Sequence, residues 1–259
     1  ISQIEEVTKG NRKIGLGVMG FADMLIRLSI RYDTEEALKT AERLMRFINT
    51  EGHKMSSELG VEKGSFPNFR GSLGEKSFKA MRNATVTTVA PTGTISIIAG
   101  CSQGIEPLFA ISYVREVAES LGRSLVEVNP LFEGITLKEG VYSEELMKTI
   151  AKKTSIQDVK EVPERIRNLF VTAHDISAEW HVRMQAAFQK YTDNAVSKTI
   201  NFPNWATPYD VEKAFWLAYK LGCKGITVYR AGSREAEVLR PIESEGTVAD
   251  YSKTCPVCA

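Results

Sequence analysis

Asn83-Ala84-Thr85-Val86-Thr87-Thr88-Val89-Ala90-Pro91-Thr92-Gly93-Thr94-Ile95-Ser96-Ile97-Ile98-Ala99-Gly100 reads as strand, tight turn and helix. β-Branched residues fill the first part, as a pleated strand prefers. Pro91 ends the strand because it brings no N–H to a ladder. Gly93 is expected to turn the chain with a positive φ. Thr92, Thr94 and Ser96 then place hydroxyls beside the free N–H groups of a starting helix, an end that carries partial positive charge and can hold a phosphate. The turn is neither a Walker loop, since no Gly-Lys-Ser/Thr follows, nor a Gly-x-Gly-x-x-Gly fingerprint. On spacing alone, an ordinary strand–helix turn with capping hydroxyls accounts for it equally well.

Outward from this stretch the pattern is α/β. Apolar spacing predicts a helix over residues 11–28 through Ile14, Val18, Phe21, Leu25 and Leu28, with Gly15, Gly17 and Gly20 allowing close packing. A long amphipathic helix is expected from Thr34 to Leu59, stopped by Gly60. A polar, Gly-rich loop fills 61–80. Residues 109–115 are expected as a short strand, 116–160 as short helices broken at Asn129-Pro130, and Pro163–Thr172 as a helix. Ser177 is placed to cap a further helix whose Trp180, Met184, Phe188 and Tyr191 form an apolar stripe. Ser197-Lys198-Thr199-Ile200-Asn201-Phe202 reads as a strand and Thr207-Pro208 as the start of a helix with Val211, Ala214, Phe215, Ala218 and Leu221 inward. Gly222 stops that helix and residues 224–230 form a second strand. This is a βαβ unit, with parallel strands and a right-handed crossover.

Hydrophobic content of 43% and charged content of 25% over 259 residues mark a globular chain of one large or two smaller domains. A net charge of +1 supplies no basic field, so nucleic acid is not an expected partner. No apolar run is long enough for a membrane helix and no signal peptide opens the sequence, so a cytoplasmic location is the expectation. The start at Ile1 and the end at Cys258-Ala259 both look like cuts within a longer protein. Beyond Ser233 the composition turns polar, as in a tail.

Four cysteines divide into two kinds. Cys101 and Cys223 sit singly in apolar surroundings and read as reduced core thiols. Cys255 and Cys258 form a C-x-x-C pair in the tail. His174 and His181, near Asp175 and Glu179, lie seven apart rather than at the i, i+4 spacing of helical zinc sites, so a solvated helix face is expected and no metal. His53 stands alone. Trp180, Trp205 and Trp216 are expected in the core or at an interface. Glu106, in a loop after Gly104-Ile105, has two readings, a group near an active cavity or a structural turn residue.

Four ordered motifs resemble the large catalytic chain of ribonucleotide reductases. They are Ala90-Pro91-Thr92-Gly93-Thr94-Ile95-Ser96 followed by Gly104-Ile105-Glu106-Pro107; Ser197-Lys198-Thr199-Ile200-Asn201-Phe202-Pro203-Asn204; Gly222-Cys223-Lys224-Gly225-Ile226-Thr227-Val228-Tyr229-Arg230; and Asn11-Arg12-Lys13-Ile14-Gly15-Leu16-Gly17-Val18-Met19-Gly20. The likeness runs through nearly the whole chain and is strongest to the adenosylcobalamin-dependent, class II enzymes.

The resemblance implies the second half of a ten-stranded α/β barrel, over residues 1–235, with a flexible C-terminal tail over 236–259. The family's Asn-Pro-Cys-Gly-Glu finger-loop motif, which carries the radical-forming cysteine, is absent, so this chain alone is not expected to reduce nucleotides. Its implied partners are the N-terminal half of the barrel, a ribonucleoside di- or triphosphate, a thioredoxin-type reductant and, when complete, a second copy in a homodimer. Residues 90–96 would receive the substrate phosphates. Where class I relatives carry two adjacent tyrosines for a long-range radical relay, this sequence has Val228-Tyr229, which favours class II and places both residues near an adenosylcobalamin cavity. A tyrosine simply packed at a strand end is the competing account of Tyr229.

Cys255 and Cys258 would be the redox shuttle that re-reduces the active-site disulfide. Half of a zinc ribbon is the rival, disfavoured because one C-x-x-C cannot complete a four-ligand site. The alternatives to class II are a class I large subunit served by a separate radical-generating subunit, and a non-catalytic nucleotide-binding module.

Overall fold

The N-terminal stretch assigned by spacing to one helix is interrupted by an extended segment. In the computed structural model, which describes residues 1–117, 123–233 and 247–248, helix α1 (Ser2–Asn11) is solvent-exposed and ends on a left-handed Arg12 (φ 47°), residues 13–19 are not helical, and α2 (Phe21–Arg27) is short and buried on one face. The extended piece runs parallel to residues 85–89: Leu16 N–H donates to the Val86 carbonyl (2.7 Å) and Thr88 N–H to the Leu16 carbonyl (3.0 Å). A Cβ at Gly17 would sit 2.2 Å from the Thr88 carbonyl oxygen. The glycines at 15 and 17 therefore serve a close backbone approach between strands rather than helix packing.

Helix α3 (Glu35–Lys63) is capped by the Thr34 hydroxyl accepting from Ala37 N–H, and it runs past Gly60 to end at Gly64. Gly60 is buried inside it, because its missing Cβ lets Met81 backbone atoms approach within 2.7–2.9 Å of where that carbon would lie. Helix α4 (Gly93–Ala99) follows the 85–89 strand. Strand β1 (Ser112–Val117) pairs antiparallel with β2 (Arg123–Val128), so a strand stands where helix was expected. Asn129 accepts from Leu131 and Phe132 N–H to cap α5 (Pro130–Lys138); α6 (Glu144–Ala151) and the short α7 (Glu164–Leu169) follow. Helix α8 (Ala178–Gln189) begins after Ser177, whose side chain makes no capping bond.

The βαβ unit forms as its residues predict. Strand β3 (Thr199–Phe202) and β4 (Thr227–Arg230) are parallel, with Ile200 opposite Val228 and Asn201 opposite Tyr229. Between them α9 (Pro208–Lys220) starts with a reciprocal Thr207–Asp210 capping box, and Gly222 at φ 76° closes it. Ala214 and Ala218 are buried in it, but Phe215 and Trp216 are about half exposed, and Trp205 is 75% exposed. These tryptophans are therefore outside the core. Strand β5 (Thr247–Val248) pairs parallel with β2, so two residues of the expected flexible tail are held in a sheet.

Four extended segments thus lie side by side in one parallel ribbon, ordered 14–16, 85–89, 194–202 and 227–230. The middle junction is made by Val89 N–H to the Ala195 carbonyl (3.3 Å) and Ser197 N–H to the Val89 carbonyl (2.8 Å). Helix α3 packs on α8, and α8 packs on β3 and α9. The main core, with Phe21, Leu25, Met45, Phe132, Phe170 and Phe188, includes Val89 and Val196 of this ribbon.

At the N-terminal ends of the strands an acidic fastener holds the layers together. Asp193 Oδ2 accepts from His53 Nε2 (2.7 Å), Val86 N–H (2.7 Å) and Thr87 N–H (3.2 Å), and Oδ1 accepts from Asn49 Nδ2 (3.0 Å). His53, expected to stand alone, thus links α3 to the ribbon. Burial alone pushes the Asp193 carboxyl up, but the bonds from His53, Val86 and Asn49 outweigh it and hold it down to about 2. Because the folded value is depressed, this stabilisation is present above the unfolded Asp value near 3.9 and is lost as pH falls from about 4 to about 2, an effect of about 2 kcal/mol. Asp193→Ala is expected to cost about 3 kcal/mol at neutral pH, since it leaves the buried donors unpaired. It should also flatten the acid limb of a stability–pH curve measured by urea unfolding.

Candidate functional site at the carboxyl ends of the parallel strands

In a parallel ribbon every strand delivers its C-terminal end to the same edge, and in open α/β sheets that edge is where ligands bind. Residues 90–93 leave the central strand there, Pro203–Ala206 leave β3, and Tyr229 lies near the end of β4. Ala90, Pro91, Thr94 and Ile95 are exposed, while Thr92 and Gly93 are half-buried.

The turn differs from expectation in its detail. The positive φ falls on Thr92 (55°) and not on Gly93, which is already the first residue of α4. Thr92 holds the left-handed conformation, uncommon for a β-branched residue, while its Oγ1 accepts from Gly104 N–H (2.7 Å). The Ser96 hydroxyl donates back to the Gly93 carbonyl (3.1 Å) and is buried. Two of the three hydroxyls are thus spent within the turn. Thr94 is exposed, and the first-turn N–H groups have no intrahelical carbonyl to reach. Nothing lies within 4 Å of a Cβ built on Gly93.

Behind the turn, residues 101–108 form a platform. Gly20 N–H donates to the Ser102 carbonyl (2.8 Å), Phe21 N–H to the Gly104 carbonyl (3.3 Å), Tyr32 Oη to the Ile105 carbonyl (2.5 Å) and Ala173 N–H to the Leu108 carbonyl (2.7 Å). Burial, and then the nearby Glu106 carboxylate, push the Tyr32 hydroxyl well above its ordinary pKa.

Glu106 then meets Lys198. The Lys198 ammonium is fully buried and spends its N–H groups on Glu106 Oε2 (2.7 Å), His181 Nδ1 (3.0 Å) and the Thr199 carbonyl (3.3 Å). Glu106 Oε1 accepts from Thr199 N–H (2.7 Å). His181 is buried, contrary to the solvated face expected of it. Its Nε2 faces the Ala173 carbonyl (3.0 Å), which fixes the proton there and leaves Nδ1 to accept from lysine. Burial, and then the ammonium, hold His181 well below its usual pKa, so it stays neutral. Burial also lowers the lysine value, with Glu106 opposing. His174 is exposed and meets the Phe109 ring edge-on.

Val228 and Tyr229 are half-buried on β4. Cys255 and Cys258 lie outside the described residues. Cys101 and Cys223 are half-buried free thiols, both raised in pKa by burial, Cys223 to about 11. Among the described residues no helix is long and apolar enough to cross a membrane.

The family model "Ribonucleotide reductase, barrel domain" matches residues 1–80 and 76–229. The chain belongs to the ribonucleotide reductase barrel-domain family. It is 54% identical over 239 residues to a vitamin B12-dependent ribonucleoside-diphosphate reductase of Thermoplasma acidophilum, covering 92% of this chain and 31% of that protein. A relative of the same description from Mycobacterium tuberculosis is 48% identical over 237 residues, with 92% and 34% covered. The chain thus spans about a third of the length of these curated relatives. Its fold is similar to that of the Actinobacillus ureae class Id ribonucleotide reductase alpha subunit, at a TM-score of 0.75 and 23% identity, over 88% of this chain and 40% of that one.

Within this barrel-domain chain, Lys198 is the residue that motif-level reading passed over. Its signal is a register violation: Val196, Lys198, Ile200 and Phe202 alternate on the buried face of the strand, and a lysine occupies a core position. Replacing one partner should expose an asymmetry. Glu106→Ala leaves an ammonium buried without its counter-charge and is expected to cost about 3 kcal/mol or more. Lys198→Met leaves a carboxylate that is 24% exposed and still bonded to Thr199, so a smaller loss is expected. Chemical denaturation of both variants measures the order.

Proposed function

We propose that this chain is part of a vitamin B12-dependent ribonucleotide reductase, an enzyme that replaces the ribose 2′-hydroxyl by hydrogen. The observation that carries the proposal is the 54% identity to the Thermoplasma acidophilum reductase over 239 residues, 92% of this chain. In this reading residues 1–235 supply one half of the barrel and residues 236–259 the tail that bears the thiols.

The turn at 90–96 receives the substrate phosphates. First-turn amides without intrahelical carbonyl partners and the hydroxyl of exposed Thr94 give it donors and partial positive charge without a lysine or arginine. The rest of the parent polypeptide covers this edge. Ile95, Ile97 and Ile98 on α4 are 53–82% exposed, and Ile14 and Leu16 on the outer strand about half exposed, an apolar surface suited to burial against the other half-barrel.

Adenosylcobalamin, when bound, supplies the initiating radical. Val228 and Tyr229 fit a packing role beside it. They are half-buried on a strand bonded to β3, and they offer an apolar side chain and a phenol rather than a cobalt ligand. Cys255 and Cys258 return electrons to the active-site disulfide, accepting them from a thioredoxin-type reductant.

Complete parent protein, given adenosylcobalamin, a dithiol and a ribonucleoside diphosphate, is expected to form deoxynucleotide. Product that appears only when a separate radical-generating subunit is added overturns the cobalamin assignment. Changing Cys255 and Cys258 to Ser should slow multiple turnover while sparing a single turnover; equal loss of both points to a structural metal. Gly93→Val, placed where the fold leaves open space, is expected to weaken ribonucleotide binding by about tenfold while leaving the melting temperature nearly unchanged. Unaltered affinity removes the turn from the site.

A further inference from the structure

We propose that Lys198 and Glu106 are positioning residues for the phosphate turn: the buried ammonium fixes the 101–108 platform, and the platform holds Thr92. This rests on the assignment of the phosphates to residues 90–96.

The connection is short and made of hydrogen bonds. Lys198 Nζ holds Glu106 Oε2 at 2.7 Å, and Thr199 N–H holds Oε1 at 2.7 Å, so both carboxylate oxygens are tied to the β3 strand. Two residues earlier in the chain, Gly104 N–H holds Thr92 Oγ1 at 2.7 Å. Gly104 and Ile105 are buried, and Tyr32 Oη clamps the Ile105 carbonyl. The far end of this path is the strained point. A β-branched residue at φ 55° keeps that conformation only where its surroundings over-determine it. The Gly104–Thr92 bond is such a constraint, and its position is set by the platform.

Stability alone does not account for an ammonium at this place. An apolar side chain of similar volume in a buried ion pair's position is often neutral or stabilising. What the ammonium adds is direction. Its N–H groups point at three acceptors on three segments: the 104–107 loop, α8 and β3. His181 completes the arrangement by anchoring to the Ala173 carbonyl, next to the 172–173 segment that pairs with Leu108. A methionine would fill the space without holding the loop at one height.

The test uses the complete parent protein with Glu106→Gln, Thr92→Val, the pair combined, and a Glu106→Gln/Lys198→Met pair. Affinity for a ribonucleoside diphosphate, the kcat and KM of turnover, thermal unfolding, and amide hydrogen exchange across residues 90–100 are read in each. Glu106→Gln and Thr92→Val are each expected to weaken binding by about tenfold and to raise KM with kcat changed less than about twofold. Their combination should be no weaker than the weaker single, because both act through one bond. The Glu106→Gln/Lys198→Met pair should recover melting temperature without recovering affinity. Recovery of both together, or multiplicative losses in the Glu106–Thr92 pair, overturns the proposal. Hydrogen exchange decides it without nucleotide: Glu106→Gln should speed exchange at residues 92–96, and unchanged exchange sinks the idea. A wild-type protein that binds no ribonucleotide defeats the phosphate assignment instead, while the exchange result still stands for or against the positioning.

Discussion

The arrangement depends on the strand at 85–89 being flanked on both sides by parallel neighbours at near-minimum separation. On one side Leu16 exchanges two backbone bonds with it across side-chain-free Gly15 and Gly17; on the other, residues 194–197 do the same. A strand so enclosed has its backbone satisfied and its direction fixed. Its C-terminal end is then committed to the ribbon's open edge, where Pro91 stops the ladder and Thr92 turns it into α4.

The two ends of that strand have different characters. At the start, Asp193 gathers His53, Asn49 and the amides of Val86 and Thr87 into a fastener that joins α3 to the ribbon. At the finish, exposed backbone and a left-handed threonine lie above a platform of loop carbonyls and a buried ion pair. Each end carries a charged group that ties distant segments together, Asp193 at the start and the Lys198–Glu106 pair at the finish, and the finish also leaves the turn at 90–95 accessible. In parallel α/β structures an accessible finish is usual, because crossover helices cover the faces and leave the carboxyl ends open.

This chain of the ribonucleotide reductase barrel-domain family carries exposed apolar side chains, Ile95, Ile97 and Ile98 on α4 among them. The chain covers about a third of its curated relatives, and the isoleucines of α4 and of the outer strand face solvent here. Lys198 belongs to the interior side of the same design. A charge in the middle of an apolar strand face is tolerated because three acceptors converge on it, and the convergence ties together segments far apart in sequence.

The sequence by itself determined the βαβ unit, its capping box and its Gly222 stop, since each is set by local capping and periodicity. It also determined the family, through four motifs in fixed order. It misplaced what depends on neighbours. Residues 14–16 have helical apolar spacing but pair with residues 85–88 because Gly15 and Gly17 let the backbones meet at Thr88. Gly60 has the look of a helix stop but is a contact point for Met81. Gly93 was the evident candidate for the positive φ, yet Thr92 takes it because Gly104 N–H is waiting for its hydroxyl. His53 and His181 looked idle or solvated, yet each has a partner distant in the chain, Asp193 and Lys198. Local rules fix which torsions a residue prefers; only tertiary packing decides which hydrogen-bond partner comes within about 3 Å, and in this site that partner settles the role.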